Sequence, residues 1–133
     1  MKKIGIIFLL SLAGIGHLFA ETLTIQIENV DIGKGQILVG IYNDEKAFPD
    51  PDKYFTNSEA EAGSATVTVA FPDLPKGIYV VAVYQDKNGN GKLDKFLGIP
   101  KEKYGFSNNT MMPDWKKNSF ELNADTGITI KLR

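Results

Sequence analysis

From residue 22 onward the apolar side chains recur at every second position. In "TLTIQIENV", Leu23, Ile25 and Ile27 alternate with Thr24, Gln26 and Glu28. In "ATVTVAF", Val67, Val69 and Phe71 alternate with Thr66 and Thr68, and in "GITIKLR", Ile128, Ile130 and Leu132 alternate with Thr129, Lys131 and Arg133. A period of two places one set of side chains in a core and the other in water, which predicts half-buried strands. Two further runs, "QILVGIY" (Gln36 to Tyr42) and "IYVVAVY" (Ile78 to Tyr84), are apolar on both faces. These read as central strands covered on both sides. "SFELN" is a weaker candidate, with Phe120 and Leu122 inward.

No segment sustains a period of 3.6, and no internal repeat is visible. "DIGKG" and "NADTG" have the composition of hairpin turns and are expected to join the first two and the last two strands. The pattern predicts an all-β fold: an antiparallel β-sandwich of six to seven strands, immunoglobulin- or transthyretin-like, with one long ordered loop region. Two segments fall outside the strand pattern. Asn43 to Ser64 reads as a long loop with Pro49 and Pro51, with room for a short helical turn. Lys92 to Lys117 is too long and aromatic for a plain connection, and Phe96, Leu97, Ile99, Tyr104 and Phe106 give it apolar groups to bury.

The amino-terminal segment is of a different kind. Lys2 and Lys3 precede an apolar run from Ile4 to Ile15, and small residues then lead to Ala20. This is the pattern of a secretory signal peptide over 1–20, leaving one domain at 21–133 and an exported protein, periplasmic or extracellular. A retained anchor is the alternative, but the run is short for a membrane span and His17 interrupts its end. Without Lys2 and Lys3 the chain carries 13 basic against 16 acidic residues, a net charge of −3. Such a surface has no basic stripe for nucleic acid or anionic lipid, so neither is an expected partner.

His17 is the only histidine and cysteine is absent, so the domain at 21–133 has neither. Ser-His-Asp and Cys-His catalysis drop out, together with the usual zinc, copper and haem sites. A metal there would be a hard cation held by oxygens, with calcium as the candidate cofactor. The stretch "DKNGNGKLD" offers such oxygens. Asp86, Asn88 and Asn90 stand at positions 1, 3 and 5, with Gly91 at 6, the Lys92 carbonyl at 7 and Asp94 at 9. Position 12 is Leu97 rather than the bidentate Glu, and Lys87, Lys92 and Lys95 offset the carboxylates. Such a site would need an outside ligand, with Glu102 as the first candidate and Asp44 or Glu45 as others, and would bind on the order of 10⁻⁴–10⁻³ M. The competing reading is a structural turn in which Asn and Gly supply left-handed positions.

The run from Phe71 to Asn109 contains "LPKGIYVVAV" (Leu74 to Val83), "DKNGNGKLD", "GIPKE" (Gly98 to Glu102) and "YGFSNN" (Tyr104 to Asn109). In order and spacing it resembles the small exported bacterial domains of domain-of-unknown-function family 2141. The resemblance implies export and an all-β fold, and it brings no activity with it. The strand around Leu74 to Tyr79 is also similar to those of transthyretin-like and carboxypeptidase-regulatory-like sandwiches. Gln85 stands where relatives often carry His, so any chemistry of that His would be missing here.

The functional expectation is a non-catalytic binding or structural module. Its calcium loop would order the segment that follows. The alternative is a module that binds a glycan, a peptide or another protein through loop aromatics. Tyr54, Phe55, Tyr104, Phe106 and Trp115 would supply the rings, with Asn108 and Asn109 as amide partners. The same rings could equally form a small core beneath the loops. A hydrolase using Asp86, Asp94 and Glu102 is the remaining class, but no further catalytic motif accompanies these carboxylates. Calcium at several millimolar should raise the thermal midpoint of the protein, magnesium should not, and Asp86→Asn with Asp94→Asn should abolish the effect. An unchanged midpoint in a calcium titration against EGTA would reduce the loop to a turn.

Overall fold

The computed structural model describes residues 20–89, 95–96, 99–100 and 102–133. Two sheets pack face to face. The smaller holds β1 (Ala20–Glu28), β4 (Val67–Pro75) and β10 (Thr126–Lys131) in the order β10-β1-β4. The larger is built on β2 (Gln36–Tyr42), β3 (Thr56–Glu61), β5 (Gly77–Asp86), β8 (Tyr104–Phe106) and β9 (Phe120–Leu122). Its order is β3-β2-β5-β8, with β9 pairing a separate stretch of β5. These are eight strands, against the six to seven expected. A short hairpin of β6 (Lys95–Phe96) and β7 (Ile99–Pro100) stands apart from both sheets.

The period-two runs map onto these strands as their pattern requires. Leu23, Ile25, Ile27, Val69 and Phe71 from one sheet meet Ile37, Val39, Ile41, Val81 and Val83 from the other in a single buried core. Burying such side chains is worth roughly 1.5–3 kcal/mol each, most of it offset by chain entropy. Most outer positions of the small sheet, among them Gln26, Thr68 and Thr129, are polar. β2 and β5 lie inside the larger sheet, and their outer faces are covered by chain, which is why they read as apolar on both sides.

Three features of the connectivity differ from the sequence expectation. β1 pairs in parallel with β10, Ile25 opposite Ile128 and Ile27 opposite Ile130, so the sandwich is not purely antiparallel. Neither predicted hairpin turn joins neighbouring strands. "DIGKG" carries the chain from β1 in one sheet to β2 in the other, and "NADTG" carries it from β9 to β10 across the sandwich. Turn chemistry reverses the chain but does not say in which sheet the next strand lies. The stretch assigned to a loop over 43–64 contains an edge strand, β3, whose inward positions Thr56, Ser58 and Ala60 give no apolar alternation to read.

β5 is the longest strand, with ten residues, and its edge opposite β2 is shared. β8 pairs at Ala82 to Tyr84 and β9 at Gly77 to Tyr79. Between them the Val81 N–H donates to Ser107 Oγ at 3.0 Å, which continues the ladder through a side chain. The chain leaves at Ser107 and returns at Phe120, enclosing the turn Ser107–Asn109 and the short helix α1 (Trp115–Asn118). Asn118 is fully buried and closes the base of this Ω-shaped excursion. Its amide donates to the Ser107 carbonyl (2.9 Å) and to Thr110 Oγ1 (2.6 Å), while its carbonyl oxygen Oδ1 accepts from the Asp114 N–H (2.8 Å).

β8 sits close above β10, and Gly105 permits that approach. A Cβ there would lie 2.7 Å from Ile130 Cγ2 and 3.0 Å from the Lys131 carbonyl oxygen. Gly105→Ala should therefore destabilise the fold by about 1–3 kcal/mol through overpacking, read as a lowered urea midpoint. A midpoint equal to the parent's would show that β8 can lift without cost.

Candidate functional site

The outer face of the larger sheet carries two adjacent rows of paired residues. One row is Asn57, Gly40, Ala82 and Phe106, running across β3, β2, β5 and β8. The next is Glu59, Leu38, Tyr84 and Tyr104. On the other side of the first row stand Tyr42 and Val80. Gly40 and Ala82 are side by side and nearly without side chains, so the sheet surface sinks between bulkier neighbours. The result is a cavity of about 270 Å³ floored by these two residues.

Two loops wall it. The β2–β3 connection contributes Pro49, Pro51, Asp52 and Tyr54, and the excursion after β8 contributes Met112 and Pro113. Local bonds hold the first loop. Ala47 and Phe48 donate to the Asp44 carbonyl, Asp50 donates to the Ala47 carbonyl, and the Tyr42 hydroxyl donates to the Asp50 carbonyl at 2.9 Å. Phe48 ties the two loops together, with its ring 5.2 Å from Tyr42, 5.8 Å from Phe106 and 6.2 Å from Trp115. The first two are edge-on, and such aromatic pairs add about 0.5–1.5 kcal/mol each beyond their buried area.

The walls are phenolic. The Tyr42 hydroxyl is pushed up to about 12, by burial first and by Asp50 next. Tyr84 also rises to about 12, again by burial first, then by Asp86 and Glu102. Both stay protonated at any physiological pH. The Tyr104 hydroxyl is committed to the Met111 carbonyl at 2.7 Å. The charged residues of the lining are Asp52 and Glu59, both exposed at its rim, and neither Lys nor Arg is among the described lining residues.

The second region of interest is the end of β5 where the Asp/Asn loop begins. Asp86 is buried at the last position of β5, Asn88 is exposed, and Gly89 takes a left-handed φ of 73°. The Glu102 carboxylate is buried and accepts from the Lys87 N–H at 2.7 Å. Asn90, Lys92 and Asp94 of the calcium expectation lie outside the described residues, as does the signal segment through residue 19. Among the described residues no group of three or more His, Cys, Asp or Glu could hold a metal ion.

Beside this strand end, fully buried Gln85 grips the crossing turn from β1 to β2. Its Oε1 accepts from the Asp31 N–H, and its Nε2 donates to the carbonyls of Asp31 and Lys34, all within 2.7–3.0 Å. The position that the family resemblance associates with His is thus a structural amide in this chain. Asp31 in turn pairs with Lys103 at 2.8 Å and Lys87 at 2.5 Å.

The sequence-selected residues therefore separate into groups. Tyr104, Phe106 and Tyr54 line the cavity. Asn108 and Asn109 use their amides on backbone instead. Asn108 donates to the Lys117 and Ser119 carbonyls, and Asn109 both donates to Thr129 and accepts from Lys131. Trp115 packs on Phe48 and Phe55 lies 6.3 Å from Tyr79, away from the cavity lining. Sequence reasoning passed over Tyr42 and Tyr84 by placing them in core strands. The signal available was Gly40 and Ala82, two small residues interrupting strands otherwise bulky on both faces.

Sheets of three and five strands packed around one core, with the larger roofed on its outer side, define a β-sandwich domain. The chain belongs to the family described as "Uncharacterized protein conserved in bacteria (DUF2141)", whose family model matches residues 25–130. The resemblance carried by residues 71–109 is borne out. No curated protein and no solved structure matches the chain. No helix among the described residues is long and apolar enough to cross a membrane.

Lys103 first, and then Lys87, hold the Asp31 carboxyl down to about 2 from an ordinary 3.8 through hydrogen bonds. A lowered folded-state pKa contributes stability that is complete above the unfolded value and is lost as pH falls through about 2. Asp31→Asn should lower the urea midpoint at pH 6, with the gap to the parent closing as the pH falls from about 4 to about 2. A gap independent of pH would mean that the ion pairs contribute nothing.

Proposed function

We propose that this protein is an exported, non-catalytic binding module that takes a small ligand in the cavity on the outer face of the five-stranded sheet. The observation that carries the reading is the paired Gly40 and Ala82 beneath a ring of aromatic side chains. A concave, mainly apolar site with a few polar groups is the usual form of a ligand pocket, and about 270 Å³ lies just below the common size range. Both walling loops are pinned by internal hydrogen bonds, so little ordering would be needed on binding. Export is supported by the basic and apolar pattern of residues 2–20.

A weak calcium site at 86–94 is the second part of the reading. It is favoured by Glu102, a carboxylate from outside the loop held against the Lys87 N–H. The same contact would serve a metal-free turn, and the calcium titration decides between them.

Gly40→Leu is the direct test of the cavity. A Cβ at this position meets only ordinary contacts, 3.5 Å to Tyr42 Cε1 and 3.7 Å to Tyr54 Cβ, so a larger side chain should fill the cavity while the fold survives. Screening the parent by ligand-observed NMR against simple amines, mono- and disaccharides and proline-containing tripeptides should give binding in at least one class. Gly40→Leu should weaken that binding at least tenfold with an unchanged circular dichroism spectrum. Binding that persists undiminished in the folded variant, or no binding in any class, would overturn the cavity reading.

A further inference from the structure

The chemistry of the cavity narrows the ligand class, an inference that rests on the binding reading above. An anion would meet only negative charge, because Asp52 and Glu59 are the charged residues of the described lining. Burial does most to raise Tyr42 and Tyr84, and the same negative charge adds to it, from Asp50 and Asp52 on Tyr42 and from Asp86, Glu102 and Glu59 on Tyr84. A neutral sugar needs donors and acceptors in matched sets. Here the Tyr42 and Tyr104 hydroxyls already spend their protons on the carbonyls of Asp50 and Met111. The accessible rings of the lining, Tyr54, Tyr84 and Tyr104, offer π-surface beside carboxylate oxygens, and an alkylammonium or arylalkylammonium ion is drawn to both.

We infer that the cavity binds a small organic cation, an ammonium group on an apolar body, with the body among Tyr54, Tyr84 and Tyr104 and the charge facing Asp52 and Glu59. A volume of about 270 Å³ corresponds to roughly nine water molecules at ~30 Å³ each, which limits the ligand to a small molecule. Met112, an exposed residue of the lining, adds a polarizable thioether, a group that adapts to ligand shape.

The test uses protein produced from the full-length coding sequence and three matched probes: 2-phenylethylammonium, its neutral isostere 2-phenylethanol, and the anion phenylacetate. Binding is followed at pH 7 by NMR titration of the tyrosine ring signals. The ammonium is expected to bind at least tenfold more tightly than the alcohol, with phenylacetate weakest. Asp52→Asn with Glu59→Gln, both at exposed positions, should remove most of that preference without altering the thermal midpoint. Equal binding of ammonium and alcohol, lost in Gly40→Leu, would overturn the charge inference and leave the cavity standing as a site. No ring shifts with any of the three at millimolar concentration would overturn both. A lysine-bearing peptide that binds at least tenfold better than the free amine would overturn the small-molecule assignment in favour of a protein side chain.

Discussion

Strand β5 is the element on which the larger sheet depends, and its backbone groups must all find partners because the strand is buried along most of its length. On one side β2 supplies a continuous ladder from Gln36 to Tyr42. On the other, no single strand does so. β8 covers three residues and β9 three more, and the gap at Val81 is filled by the Ser107 hydroxyl. That hydroxyl also donates to the Asn118 carbonyl at 2.6 Å, so one buried side chain closes the ladder and staples the excursion that interrupts it. A buried hydroxyl or amide left unpaired costs about 1–3 kcal/mol, which ties the integrity of the sheet to the shape of the loop.

The candidate site follows from that arrangement. Because the chain leaves β8 at Ser107 and must return to β9, residues 110–114 are held over the outer face of β5. The β2–β3 loop reaches the same face from the other side, and Phe48 meets Phe106 and Trp115 where the two approach. A sheet with bulky side chains at every outer position would pack directly against such loops. Gly40 and Ala82, opposite one another, prevent this, and the space they leave is the cavity. Gly40 weakens a strand interior by its lack of a side chain, and at this position that lack is what forms the floor.

Much of the architecture was legible because burial on one face imposes a period of two, and burial on both faces removes it. β1, β4 and β10 followed from the first rule and β2 and β5 from the second. β3 was not legible, since Thr56, Ser58 and Ala60 at an edge carry too little apolar contrast. The pairing of β1 with β10 was hidden for another reason. Both strands show the same alternation whether parallel or antiparallel, and only the path of the whole chain decides. Of the site, Tyr54, Tyr104 and Phe106 could be picked out as loop or loop-proximal aromatics. Tyr42 and Tyr84 could not, because a tyrosine in a two-faced apolar run looks the same beneath a packed layer as beside a cavity. Asn108 and Asn109 looked like recognition groups for a related reason. Their left-handed φ values of 65° and 54° need a residue tolerant of that conformation, and their amides then satisfy backbone nearby.

The end of β5 shows the same division of labour within three consecutive residues. Tyr84 faces outward at the cavity, Gln85 faces inward on the crossing turn, and Asp86 faces outward again where the Asp/Asn loop begins. A strand's alternation forces this order, so the cavity and the loop share a face while the structural amide lies between them on the other. Asp86 and Glu102 already act on Tyr84 through their charge. The two candidate regions are therefore electrostatic neighbours, one to two residues apart along a rigid strand. Gln85 in turn fixes that strand's end against the turn carrying Asp31, whose ion pairs with Lys87 and Lys103 hold both flanks of the loop to the sandwich. The position and rigidity of the loop's base are thus set by neutral and ionic contacts among the described residues.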